Sequence, residues 1–162
     1  MIPVVSLIGY SNSGKTTVMV GLIRLLKARN FKVAAVKHAA HGYSPDPPGT
    51  DSWCYAAAGA EQVVIAGPKS LTLHEFYQEE KSLADILARI QGVDIVLVEG
   101  FKREPGPKIE VYRHEYSPDR ITTAGHLLAI VSDVPIAGNL PRFSLERLDD
   151  LADFIVQHII ST

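Results

Sequence analysis

The stretch "GYSNSGKTT", residues 9–17, follows directly on the apolar run "VVSLI". A short continuous apolar run closed by glycine is the pattern of a strand buried on both faces. Residues 16–29 then place Val18, Leu22, Leu25 and Leu26 at helical spacing, with basic side chains toward the end. Strand, glycine-rich turn and helix in that order commit the chain to an α/β unit whose turn opens at the carboxyl end of a strand. Gly9, Gly14, Lys15 and Thr16 fit G-x-x-x-x-G-K-[ST], the P-loop pattern. Glycines there let main-chain N–H groups converge on phosphate oxygens, and the start of the helix adds partial positive charge. The expected phosphate contacts are Gly9, Ser11, Asn12, Ser13, Gly14, Lys15, Thr16 and Thr17. Lys15 reaches the β- and γ-phosphates, and the Thr16 hydroxyl is a Mg²⁺ ligand.

The rest of the chain alternates in the same manner. Residues 31–36 form a β-rich run closing in Lys37 and His38, and "AAHGYSPDPPGTD" is too rich in Pro and Gly for a regular element. A short helix is expected over 51–59, strands over 63–66 and 71–76, and a helix over 83–90. "VDIVLVEG" is a second buried strand, "KIEVYR" alternates like a half-exposed strand, and residues 127–131 are again buried. Leu145, Leu148, Leu151, Ile155 and Ile159 share one face of a closing helix. The expected fold is therefore an α/β P-loop NTPase with a mostly parallel sheet flanked by helices, a single domain over residues 1–162.

Composition narrows the partners. With a formal net charge of −2 there is no broad positive field for nucleic acid or anionic lipid, so any anion site is local. One cysteine, Cys54, excludes an internal disulfide and a thiolate-rich zinc site. The N-terminal run is too short to span a bilayer and lacks a basic leader, so the sequence predicts a cytoplasmic chain with no membrane partner.

A Mg²⁺ ion between phosphates takes further oxygen ligands. Glu99 closes its strand where open α/β sheets bind ligands, and Asp51 is a second carboxylate and also a candidate cap of the helix that it precedes, two roles that do not exclude each other. Lys37 is either an extra cation beside the nucleotide or a solvated strand end. Asp133, after "LLAIVS", is either a turn residue or an acceptor for guanine N1 and its exocyclic amine, a pairing that adenine N1 opposes. Lys102, Arg103, Lys108 and Arg113 suggest a local anion patch, and "KIEVYR" alternatively an edge strand that pairs across a dimer.

Taken together, "GYSNSGKTT", "KHAAH", "DPPGTDSW", "AAGAEQVVI", "DIVLVEGFK" and "PKIEVYR" resemble the MobB family of molybdopterin-guanine dinucleotide biosynthesis. The resemblance implies a homodimeric GTP-binding protein with weak GTPase activity that assists a MobA-like guanylyltransferase. It implies Mg²⁺ ligation by Thr16, Asp51 and Glu99, with Gly100 approaching the γ-phosphate, so that Lys15 and Glu99 carry whatever catalysis occurs. Molybdopterin or its guanine dinucleotide is the further ligand it suggests. The chain departs from the family in having Ala40 before His41 where two adjacent histidines are usual, and Cys54 where a basic residue is common. Two alternatives keep the same fold: an ATP-dependent enzyme of the dethiobiotin-synthetase type, and a metallochaperone GTPase using His38, His41 or Cys54.

Overall fold

In the computed structural model, which describes residues 1–116, 119–121 and 126–161, the chain forms two compact units. The larger comprises residues 1–38 and 83–162, the smaller residues 39–82. Among the described residues no helix is long and apolar enough to cross a membrane.

The larger unit is built on a six-stranded sheet in the order β2-β5-β1-β6-β7-β8, with every pairing parallel. Its strands are β1 (Val4–Ile8), β2 (Val33–Lys37), β5 (Ile95–Glu99), β6 (Pro107–Tyr112), β7 (His126–Ser132) and β8 (Arg142–Phe143). Parallel strands need crossovers, and helices α1 (Lys15–Ala28), α3 (Leu83–Leu87) and α4 (Leu148–Ile155) cover the faces. α4 continues as a π-helical turn, Val156–Ile160. Because side chains alternate, Val5, Leu7, Ile95, Leu97, Ile109 and Val111 face one layer. There they pack with Val18, Leu22 and Leu26 of α1 and Leu151 and Ile155 of α4. Val96 and Val98 face the opposite layer with Leu83 and Phe101. The closing helix begins after Leu145, which still packs against the first layer.

"KIEVYR" is neither half-exposed nor an edge. β6 lies between β1 and β7, with Lys108 fully buried and Glu110 1% exposed. Its polar residues alternate because that face is covered by polar partners rather than water. The Lys108 ammonium donates to the carbonyl oxygens of Glu104, at 2.5 Å, and Phe101, at 3.5 Å. The Glu110 carboxylate accepts from the Arg120 guanidinium at 2.9 Å and from the Ile121 amide at 2.7 Å. Alternation in sequence reports two unlike environments, and only one of the two need be apolar.

The smaller unit pairs β3 (Gln62–Ala66) with β4 (Leu71–Glu75) as an antiparallel hairpin beside α2 (Asp51–Ala57), separate from the parallel sheet. An isolated two-stranded hairpin is marginally stable, and Val63 is the one strand residue that it buries.

Candidate functional site

β1 leads into the P-loop through Gly9, where a side chain has no room. A Cβ would collide with the Val111 carbonyl oxygen and stand 2.6 Å from Ser13 Oγ. The loop then uses left-handed backbone at Asn12, φ 63°, and Gly14, φ 94°. Gly14 caps α1 without a side-chain hydrogen bond, and the first turn carries no acidic residue, so its N–H groups keep their partial positive charge. Ser13 Oγ is buried with no hydrogen-bond partner among the described residues. Lys15 Nζ folds back to donate to the Tyr10 carbonyl oxygen at 2.6 Å, and Lys102 Nζ lies 5.2 Å from the centre of the Tyr10 ring. Burial pushes the Lys15 ammonium below its ordinary value; Glu99 opposes that shift, and Lys102 and Lys37 reinforce it.

The second wall comes from β5. Glu99 stands in register with Leu7 on β1 and Lys37 on β2, which brings three strand ends to one place. One carboxylate oxygen accepts from Thr16 Oγ1 at 3.3 Å, and the other lies 3.6 Å from Lys37 Nζ. The Glu99 side chain is only 12% exposed and Lys37 66%, so the lysine can swing away while the carboxylate stays in place. Gly100 follows with φ +102°, and a Cβ there would lie 2.9 Å from His38 Cβ. The His38 ring in turn stacks on Phe101, with centroids 4.4 Å apart. Sequence reading offered no sign of this stack, which comes from placing residues 37–38 and 99–101 at the ends of paired strands.

A hydroxyl and a carboxylate side by side at the phosphate-binding edge are hard oxygen donors of the kind that Mg²⁺ takes, so Thr16 and Glu99 fit the ion. Asp51 opens α2 in the smaller unit, and the cap role belongs instead to Thr50, whose Oγ1 accepts from the Trp53 amide at 3.4 Å. Asp133 follows β7 and lies 3.3 Å from Arg113 Nε.

The expected basic patch is dispersed. Lys108 is buried, and Arg113 is tied to Asp133 and Glu115 and packs 4.9 Å over Tyr116. Glu110 pairs with Arg120 rather than with any of the four patch residues. Of the four, Lys102 alone is drawn to the P-loop, through Tyr10.

A parallel sheet whose first strand runs through this loop into a helix, with a strand-end carboxylate beside the loop threonine, is the fold of the P-loop NTPases. The family model described as MobB, molybdopterin guanine dinucleotide synthesis protein B, matches residues 4–133, and the chain belongs to the MobB family. It is 35% identical to a molybdopterin-guanine dinucleotide biosynthesis adapter protein of Haemophilus influenzae, covering 95% of this chain and 88% of that one. Its identity to the adapter protein of that name from Escherichia coli is 33%, over 97% and 93% of the two chains. The crystal structure of Bacillus subtilis MobB superposes with a TM-score of 0.76 at 24% identity, covering 98% of each chain, a likeness of fold.

Proposed function

We propose that the chain is a GTP-binding adaptor in the biosynthesis of molybdopterin guanine dinucleotide, working as a homodimer beside a MobA-like guanylyltransferase in the cytoplasm. The observation that carries this reading is the contact of Thr16 with Glu99 next to the Lys15 loop, in a chain that matches the MobB model over residues 4–133. Loop amides and Lys15 hold the triphosphate, with Lys15 exchanging the Tyr10 carbonyl for phosphate oxygen. Thr16, Glu99 and Asp51 hold Mg²⁺, which neutralises phosphate charge when bound. Lys37 turns from Glu99 toward the nucleotide, Gly100 faces the γ-phosphate, and Asp133 reads the guanine edge. Turnover is slow. The homodimer is supported by the hairpin, one of whose faces leaves Val64, Leu71 and Leu73 exposed.

The test is calorimetric titration with GTP and with ATP, each with Mg²⁺, then with GTP in the presence of the guanylyltransferase. A preference for GTP and an affinity altered by the partner are expected, because coupling between two ligands is reciprocal. A preference for ATP, or indifference to the partner, overturns the reading in favour of an ATP-dependent enzyme.

A further inference from the structure

The smaller unit contains a cavity of about 400 Å³ that the nucleotide reading does not use. Tyr43, Asp46, Trp53, Ala57, His74 and Phe76 line it. Trp53 and Ala57 lie one helical turn apart on α2, and His74 and Phe76 lie two residues apart at the end of β4, so each pair shares a face. The His74 ring is 4.0 Å from Phe76 and 6.2 Å from Tyr43, centre to centre. Tyr43 is nevertheless 74% exposed, Phe76 42% and Trp53 39%, so aromatic faces remain open around a concavity of ligand size. Asp46 is half-buried, and among the described residues nothing pairs with its carboxylate.

Open rings beside an unpaired carboxylate suit a flat heterocycle that stacks and presents N–H donors along one edge. An aliphatic side chain would cover the rings and leave the carboxylate desolvated without a donor. A 2-amino-4-oxopyrimidine edge has a ring N–H beside an exocyclic amine, and two adjacent donors match the two oxygens of one carboxylate. Pterins and guanine both carry that edge. We propose that this cavity binds the 2-amino-4-oxopyrimidine edge of a pterin or a guanine, stacked among Tyr43, Trp53 and Phe76 and read by Asp46. The choice of ligand rests on the adaptor reading above; the cavity does not.

Trp53 is the chain's one tryptophan, so its emission reports on this wall alone. The full chain is titrated with neopterin, guanosine and adenosine, none of which carries a phosphate, by calorimetry and by Trp53 quenching. Saturable quenching by neopterin or guanosine is expected, with adenosine at least about tenfold weaker. Asp46→Asn should weaken binding by roughly 10- to 150-fold, the range for a hydrogen bond to a charged group, while the Lys15-dependent part of Mg²⁺–GTP binding and circular dichroism stay unchanged. Response to neopterin alone assigns the pterin end of the dinucleotide, and to guanosine alone the guanine end. Four results each overturn the proposal: no saturable quenching, an equal response to adenosine, indifference to Asp46→Asn, or Trp53 emission that follows protein concentration and blocks neopterin. The last would give the cavity to a second copy of the chain. Lys15→Met should leave neopterin binding intact, and failure of the wild-type chain to bind GTP would count against the adaptor reading alone.

Discussion

Lys15→Met removes a charge that the free protein holds at some cost. Burial is the main cause that depresses the proton affinity of the ammonium, Glu99 opposes it, Lys102 and Lys37 add to it, and the Tyr10 carbonyl at 2.6 Å is its neutral acceptor. Methionine keeps the length of the side chain, relieves that burial and loses one hydrogen bond, so apo stability should change by no more than about 1 kcal/mol. Toward a triphosphate the loss is one-sided. A charge-assisted hydrogen bond contributes about 1.5–3 kcal/mol, so the dissociation constant should rise roughly 10- to 150-fold. At GTP about a hundred times the wild-type Kd, the ligand stabilises the native protein by about 2.7 kcal/mol, or about 5–10 °C in a chain of this length. At the same concentration the variant should gain only about 0.3–1.4 kcal/mol, or about 1–5 °C. Scanning calorimetry with and without Mg²⁺–GTP measures both numbers. Equal shifts in the two proteins would refute the assignment of Lys15 to phosphate. Collapse of the apo transition would instead show that the ammonium belongs to the fold.

Lys108→Met leaves the Phe101 and Glu104 carbonyls without their donor and should cost about 1–3 kcal/mol in urea denaturation. Burial lowers the folded-state pKa of Lys108, so below 10.5 there is a window in which the unfolded chain binds a proton that the folded one lacks; wild-type stability should rise with pH through that window relative to the variant. Gly100→Ala forces a Cβ into φ +102° at 2.9 Å from His38 and should destabilise by about 1–3 kcal/mol, with Mg²⁺–GTP affinity falling in parallel. Asp133→Asn should lower the preference for GTP over ATP by about tenfold or more while leaving the summed affinity nearly unchanged; constant discrimination in competition titrations would remove Asp133 from base recognition.

Most of the parallel sheet was legible because its strands are continuous apolar runs and its first turn has a pattern that one geometry satisfies. β1, β5 and β7 were placed within two residues at either end. The P-loop residues and Glu99 could be expected together, since strand ends at one edge of a parallel sheet converge whatever their separation in sequence. What escaped was decided by partners distant in the chain. "KIEVYR" has the period of a half-solvated strand, and only Arg120, Ile121 and the 101–104 carbonyls show that its polar face is buried. Likewise β3 and β4 were foreseen as strands, but their pairing as a separate hairpin depends on a register that no local pattern states. Two-residue β8 is too short to leave a period at all.

The electrostatics of the P-loop edge bear on the weak turnover that belongs to the proposal. Lys37 and Lys102 act on Lys15 there, with Glu99 the carboxylate set against them. Three ammonium groups and one carboxylate leave the edge net positive before the proposed Asp51 ligand is counted, opposite in sign to a magnesium–nucleoside triphosphate complex. On the proposed reading this charge complement attracts that complex, and the affinity should fall as added salt screens the exposed Lys37. Matching of this kind acts on the bound ground state as much as on the transition state, so it tightens binding without raising the rate. Acceleration needs a donor placed where charge develops at the γ-phosphoryl group. At the end of β5 the Gly100 amide donates to the Leu7 carbonyl, and His38 is stacked flat on Phe101. Under the proposed adaptor role, a Gly100 amide that already donates to Leu7 supplies no such donor, which fits the slow turnover proposed.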